Sequence, residues 1–249
     1  MSRRKRLGQH FMVDGRVLQR EVEYAGVEGK EVLEVGAGTG NLTKVIAEKA
    51  EKVIAVEKDR QLLPILFAEL SRYGNVEVVC ADILKMDIPS VDVIISNVPY
   101  SISSPLVFRL PEAEFSHAVL CMQREFVDRM VAMPGTPEYS RLSVMAQLQF
   151  EIEVLEYVPR MAFRPMPKVD SAIVRLRKRG YVDEVDGRII NALFQHKKKS
   201  VRAALSNSHS FLGIERERFK EIKDERKVFK LSLEEIVDLC DFVKGMLTA

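Results

Sequence analysis

Between residues 31 and 122 the chain alternates short, almost continuously apolar runs with amphipathic stretches. The apolar runs are Glu31–Val35, Lys52–Val56, Val76–Val79, Val91–Ser96 and Ala118–Met122. They are rich in Val and Ile, as parallel strands buried on both faces are. Helical spacing of apolar positions over Leu42–Ala50 and Gln61–Arg72 predicts helices between them. Alternation of this kind implies a doubly wound α/β sheet. After a turn region at Pro134–Pro137, Ser140–Phe150 reads as a helix. Ile152–Val158 and Ser171–Arg177 read as two further strands, joined by the Pro-containing stretch Pro159–Asp170. Beyond Gly180 the strand-like runs stop, and helical periodicity continues in Glu184–Phe194, Ser200–Ser206, Glu215–Ile222 and Ser232–Leu247. The last opens with Ser232 and, three residues on, Glu235, a capping box. The expected organisation is an α/β domain over 1–180 and a small all-α domain over 181–249.

Composition adds constraints. The chain of 249 residues is 47% hydrophobic and 30% charged, sufficient for one substantial core and a smaller second one. No apolar run approaches the length of a membrane-spanning helix. The basic N-terminal run has no apolar segment behind it, so no secretory signal is expected. Cys80, Cys121 and Cys240 form no CxxC pair, which suits a reducing, cytoplasmic setting and excludes a Cys-rich zinc site. Net charge is only +2, but it is unevenly spread: residues 1–20 carry +5, residues 158–202 carry +8, and the remainder carries −11. Two basic segments on an acidic body suit a protein that presents particular surfaces to a polyanion. Solvated charged faces are the plainer explanation of the same pattern.

The run EVLEVGAGTGNLT takes a strand into a loop with Gly36, Gly38 and Gly40 and then into a helix. Glycines there let the backbone approach a ligand and adopt φ values other residues resist. The spacing is GxGxG rather than the GxGxxG of dinucleotide sites, and no Gly-Lys-Ser/Thr closes a phosphate loop. Glu57 ends the second strand, where a carboxylate can accept from both ribose hydroxyls of an adenosine moiety. Asp82 follows the third strand and reads either as an acceptor for the adenine amine of that moiety or as a cap preceding Ile83. In this order the three features resemble the class I S-adenosylmethionine-dependent methyltransferases, which implies a Rossmann-like sheet, S-adenosylmethionine as cofactor and no metal.

The fourth strand runs straight into Asn97-Val98-Pro99-Tyr100. This resembles the Asn/Asp-Pro-Pro-Tyr/Phe motif of methyltransferases acting on exocyclic amines. Adenine N6 is a poor nucleophile because its lone pair is delocalised into the ring. The Asn97 side-chain oxygen and a carbonyl at Val98 or Pro99 can accept its two N–H groups and return density to nitrogen. Pro99 fixes the turn, and Tyr100 offers a face for stacking the base. Catalysis is then mostly positioning.

At this point the chain resembles one family over almost its whole length, the ribosomal RNA adenine N6,N6-dimethyltransferases (KsgA-type). RKRLGQHFMVD is similar to the family's opening motif, AFRPMPKVDSAIVRL to its Pro-rich loop, and LFQHKKKSVRAAL to its basic helical element. The resemblance implies that His10 and Met12, like Asn97, belong to the cofactor site, and that Phe163 forms the face of the base pocket opposite Tyr100. Met12 replaces the more usual Leu, a mild change. The bound RNA would meet Arg3, Arg4, Lys5, Arg6, Lys168, Lys197, Lys198, Lys199 and Arg202, which neutralise phosphates without reading sequence. The substrates implied are two adjacent adenosines in a loop near the 3′ end of small-subunit ribosomal RNA, within a late assembly intermediate, met by a monomer. A large-subunit ribosomal RNA methyltransferase and a non-catalytic assembly factor of the same fold are the alternatives. A DNA adenine methyltransferase is disfavoured, since the chain has no room for a target-recognition insert between its strands.

Overall fold

The computed structural model describes residues 10–179 and 185–248. The basic run Arg3, Arg4, Lys5 and Arg6 lies outside the described residues. The chain divides into two compact units: residues up to Val127 together with Glu151–Lys178, and Asp128–Phe150 together with the chain from Arg179 onward.

The first unit is built on a seven-stranded sheet. Its strands are β2 (Glu31–Val35), β3 (Lys52–Glu57), β4 (Val76–Cys80), β5 (Val93–Asn97), β6 (His117–Gln123), β7 (Phe150–Val158) and β9 (Ser171–Lys178). They lie in the order β4-β3-β2-β5-β6-β9-β7. β4, β3, β2, β5 and β6 are mutually parallel, and β9 pairs antiparallel with β6. Two short strands, β1 (Phe11–Met12) and β8 (Phe163–Arg164), form a separate antiparallel pair. Helices of this unit are α1 (Gly15–Ala25), α2 (Asn41–Ala47), α3 (Leu63–Leu70) and α4 (Ser103–Arg109). A further helix, α5 (Arg124–Met130), crosses the boundary in the chain.

The expected strands are all present, as continuous apolar runs rich in Val and Ile suit strands buried on both faces of a sheet. The two early helices are shorter than their periodicity suggests. α3 begins at Leu63 because Pro64 is tolerated only in a first turn. α1 was not among the expected elements, yet its sequence delimits it. Asp14 Oδ1 accepts the N–H groups of Arg16 and Val17, and Gly26 closes the helix in the left-handed conformation. Val17, Leu18, Val22 and Ala25 on its inner face are buried with Val32, Val93, Ile95 and Val119 of the sheet.

The second unit is helical: α6 (Arg141–Gln149), α7 (Gly187–Gln195), α8 (Val201–Asn207), α9 (His209–Leu212) and α10 (Leu233–Thr248). The division after the last strand falls at Lys178–Arg179, close to the expected 180–181, but the helical unit also takes in an earlier segment. Asp128–Phe150 belongs with the helical unit, because Ala132, Tyr139, Val144 and Leu148 share one buried cluster with Ile189, Leu193, Leu205 and Ile236. The helix expected over Glu215–Ile222 is a 3₁₀ segment, Arg216–Glu221. The expected capping box is formed: Glu235 N–H donates to Ser232 Oγ at 3.2 Å, and Ser232 N–H donates to Glu235 Oε2 at 2.9 Å. Among the described residues no helix is long and apolar enough to cross a membrane.

Candidate active site

The sheet's strand order reverses between β2 and β5, which places the carboxyl ends of these strands at a topological switch point. Gly36 follows β2 and Asn97 ends β5, so the glycine loop and the Asn-Val-Pro-Tyr turn are neighbours. Ser96 Oγ donates to Val35 O at 2.6 Å and ties the two strand ends together. A cavity of about 610 Å³ opens there, walled by His10, Met12, Glu34, Gly36, Gly38, Glu57, Asp82, Asn97 and Pro99 among others.

All three loop glycines have positive φ, at 75°, 60° and 83° for Gly36, Gly38 and Gly40. All three also have close neighbours, and a Cβ on Gly40 would stand 3.1 Å from Leu66 Cδ1. A Cβ on Gly36 would stand 3.4 Å from the Pro99 ring, and one on Gly38 would stand 2.9 Å from Cε1 of Phe11. The loop thus sits between the Pro99 turn and the N-terminal strand. The Glu57 carboxylate accepts the Gly38 N–H at 2.8 Å and the Asp59 N–H at 2.7 Å. Both oxygens are thereby aimed, with lone pairs left for a polyol at the cavity wall.

Asp82 stands on the cavity wall and caps a turn, where the sequence also allowed a helix cap. Its Oδ1 accepts the Leu84 N–H at 3.2 Å. Lys58 donates to its Oδ2 at 2.7 Å and holds its carboxyl below the usual range.

The N-terminal strand forms part of the wall. Phe11 and Met12 pair with Arg164 and Phe163, and Asn41 Nδ2 donates to Met12 O at 2.9 Å. His10 Nδ1 lies 2.6 Å from Pro165 O, and its ring sits 5.4 Å from that of Tyr100. Tyr100 is half-buried, with its hydroxyl 2.8 Å from Ser171 Oγ. Phe163 is placed differently from expectation. It is 2% exposed and packs in the core cluster with Met12, Val158 and Ile173. Its ring is a core element here, without an open face turned to a base.

Two buried acids, Glu34 and Glu21, were missed by sequence reasoning. Glu34 lies in β2 and reaches the cavity; burial, opposed by the nearby Thr43 hydroxyl and reinforced by Glu57, pushes its carboxyl up to about 7. Glu21 lies on α1 and is fully buried, with its carboxyl pushed up to about 8, first by burial and then by repulsion from Glu34. The signal for Glu34 was a carboxylate inside an otherwise apolar strand, where an ordinary surface role is excluded.

The basic residues expected to meet RNA have separate fates. Lys168, Lys198 and Lys199 are exposed. Arg202 is ion-paired with Glu225 at 2.5 Å on the surface. Lys197 Nζ instead donates to Pro137 O and Tyr139 O, both at 2.8 Å, and fastens the loop before α6 within the helical unit. Among the described residues no group of three or more His, Cys, Asp or Glu gathers to hold a metal.

Comparison with known proteins agrees with this geometry. Residues 1–244 match the family model described as ribosomal RNA adenine dimethylase. A probable ribosomal RNA small subunit methyltransferase A from Thermococcus onnurineus is 43% identical over 249 residues, covering 96% of this chain and 91% of the relative. Its counterpart from Methanopyrus kandleri is 46% identical over 230 residues, covering 89% and 83%. A dimethyladenosine transferase from Plasmodium falciparum superposes with a TM-score of 0.81 at 28% identity, over 95% of this chain and 99% of that one. The 23S rRNA methyltransferase ErmE superposes with a TM-score of 0.68 at 30% identity, over 93% and 99%. The match extends from the N-terminal strand through the helical unit, and the chain belongs to the ribosomal RNA adenine dimethylase family.

Proposed function

We propose that this enzyme uses S-adenosylmethionine to dimethylate N6 of two adjacent adenosines in a loop near the 3′ end of small-subunit ribosomal RNA. The observation that carries the reading is the placement of Asn97, Pro99 and the glycine loop on one cavity at the β2–β5 switch point. The partner is a late assembly intermediate of the small subunit, met in the cytoplasm by a monomer.

The cavity fits the cofactor on its own terms. The Glu57 carboxylate is pre-aimed by two backbone N–H groups, Glu34 Oε2 is buried without a partner, and the loop glycines expose backbone at positive φ beside the cavity. Glu57 would hold the ribose hydroxyls, Asp82 the adenine amine, and the loop from Gly36 to Gly40 the amino-acid part. When bound, the cofactor supplies an electrophilic methyl group on a sulfonium, so no residue need act as a strong base before transfer.

What the chain supplies is placement and electronic adjustment of the target amine. Asn97 Oδ1 accepts one N6–H. The second acceptor is the carbonyl of Val98 or of Pro99, the latter also accepting the Ile102 N–H at 2.9 Å. Val98 is itself fixed by its N–H bond to Cys121 O at 3.0 Å. Tyr100, steadied by Ser171 and flanked by His10, stacks the base. A loop adenosine is already partly unstacked, so presenting it costs less than flipping one from a duplex. Lys168, Lys198 and Lys199 neutralise the surrounding phosphates.

The test is to incubate the protein with labelled S-adenosylmethionine and undermethylated small subunits, and separately with large subunits, then digest the RNA. Labelled dimethyladenosine in the small-subunit RNA is the expected result. Label confined to the large subunit, or no labelled base, overturns the reading.

A further inference from the structure

Glu21 has no place in the mechanism above, yet its surroundings are unusual. It is fully buried on α1 and is not a wall of the cavity, whereas the two groups it faces, Glu34 and Asn97, are. Neither Glu21 oxygen has a hydrogen-bond partner, and Asn97 Oδ1 is likewise buried without one. The Asn97 side chain is still close enough to favour the Glu21 carboxylate by hydrogen bonding, an effect outweighed by burial and Glu34. A buried carboxylate without a completed hydrogen bond is costly to ionise, so the nearby carboxamide is the group that can tip its balance.

We propose that Glu21 is a positioning residue that sets which end of the Asn97 carboxamide faces the cavity. The proposal rests on the reading of Asn97 as acceptor for the target amine. The two ends of a carboxamide are nearly the same size, and a half-turn exchanges acceptor for donor within the same volume. With a proton on Glu21, its O–H donates to Asn97 Oδ1, and the amide presents N–H groups to the cavity. Those groups oppose the N–H groups of adenine N6. When that proton leaves to solvent, the Glu21 carboxylate accepts from Asn97 Nδ2, and Oδ1 turns outward as the acceptor that transfer requires.

The neighbours make the proton on Glu21 hard to lose but leave the equilibrium within reach. Glu34 on β2 repels the ionised form, and so does Glu156 on β7, which is occupied by Arg20 and Tyr24 of α1. Cys121 on β6 is held as a neutral thiol by burial. Ser171 on β9 is neutral. Arg175 is engaged with Glu153 and the Tyr24 carbonyl, and His117 with the Ala25 carbonyl. Burial and Glu34, opposed by hydrogen bonding from the Asn97 side chain, push the Glu21 carboxyl up to about 8, so the switch lies between neutral and mildly alkaline pH.

The experiment has two readouts on the full chain. The first is kcat at saturating cofactor and RNA from pH 6.5 to 9.5, for the parent, Glu21→Gln and Glu21→Leu. The parent is expected to rise about thirtyfold across this range with the KM for RNA unchanged, and both variants to be flat. Affinity for S-adenosylhomocysteine should stay within about twofold. The second is the side-chain NH₂ resonance pair of Asn97 in ¹⁵N-labelled parent protein without RNA, expected to shift with the same midpoint. Retention of the pH rise by both variants overturns the proposal. So does an Asn97 resonance pair that stays fixed across the range, a readout that stands even if the variants do not fold. Because the resonance experiment uses no RNA, it decides this proposal even where the choice of RNA substrate proves wrong.

Discussion

The Gly38 N–H donates to the Glu57 carboxylate at 2.8 Å, so the glycine loop after β2 and the acid at the end of β3 hold each other in place. The acid has two duties, aiming the loop and receiving the ribose. Glu57→Ala removes both and is expected to weaken S-adenosylhomocysteine binding about 100-fold, the equivalent of ~3 kcal/mol for lost charge-assisted bonds. Glu57→Gln keeps a carbonyl acceptor but turns an NH₂ toward one backbone donor, and about a tenfold loss is expected. Titration calorimetry measures both. Equal affinities for Glu57→Ala and the parent would remove Glu57 from the site.

Gly38 is constrained twice, by its φ of 60° and by Phe11 2.9 Å from where a Cβ would stand. Gly26 has a similar φ of 56° but open space around it. Gly26→Ala therefore reports the backbone strain alone, about 1–2 kcal/mol. Gly38→Ala is expected to lose at least as much stability in urea and, in addition, to displace Phe11 and β1. Cofactor affinity should fall for Gly38→Ala and stay unchanged for Gly26→Ala.

Much of this was legible in the sequence, for physical reasons that differ by element. The strands could be read because a buried parallel strand must be apolar at nearly every position. The placement of Gly36, Glu57 and Asn97 could be read because glycine and polar residues that interrupt apolar runs mark the strand ends, which here line one cavity. The pairing of Met12 with Phe163 could not, since two-residue strands have no periodicity and their partners are far apart in the chain. Glu21 was hidden because α1 itself went unread, although Asp14 and Gly26 mark its ends. Lys197 looked like a phosphate contact because its partners, two backbone carbonyls near residue 138, leave no trace in side-chain pattern.

Asn97 lines the cofactor cavity but is assigned to the target amine. Asn97→Ala should therefore lower kcat by about 10²–10³, the range for removing one polar group that acts on the reacting centre. S-adenosylhomocysteine affinity should change by less than about threefold. A parallel fall in both quantities would place Asn97 in cofactor binding instead.

The neighbouring lysines 197, 198 and 199 should separate by role. Lys197→Ala leaves the Pro137 and Tyr139 carbonyls without their donor and is expected to destabilise the helical unit by about 1–3 kcal/mol in thermal unfolding. The double substitution Lys198→Ala, Lys199→Ala should change stability by less than about 0.5 kcal/mol. It should instead weaken RNA binding and reduce the slope of log affinity against log salt by about one to two. Destabilisation by the double variant, with the salt slope intact, would contradict this division.

Glu21 and Glu34 both have carboxyls raised above the ordinary value near 4.5, to about 8 and about 7, chiefly by burial. The folded chain then keeps protons that the unfolded chain has already released. By linkage the stability these sites contribute is fully present below the unfolded value and is lost as pH rises through the raised ones. Acids held low by partners, such as Glu156 beside Arg20 and Asp82 beside Lys58, act oppositely and only in more acidic solution. The urea midpoint of the parent is therefore expected to fall from pH 5 to pH 9, by an amount equivalent to a few kcal/mol. Glu21→Gln removes one of the two titrations, so its curve should be flatter and cross above the parent's at alkaline pH. Parallel curves for parent and variant would show that Glu21 ionises in the folded chain as it does in the unfolded one.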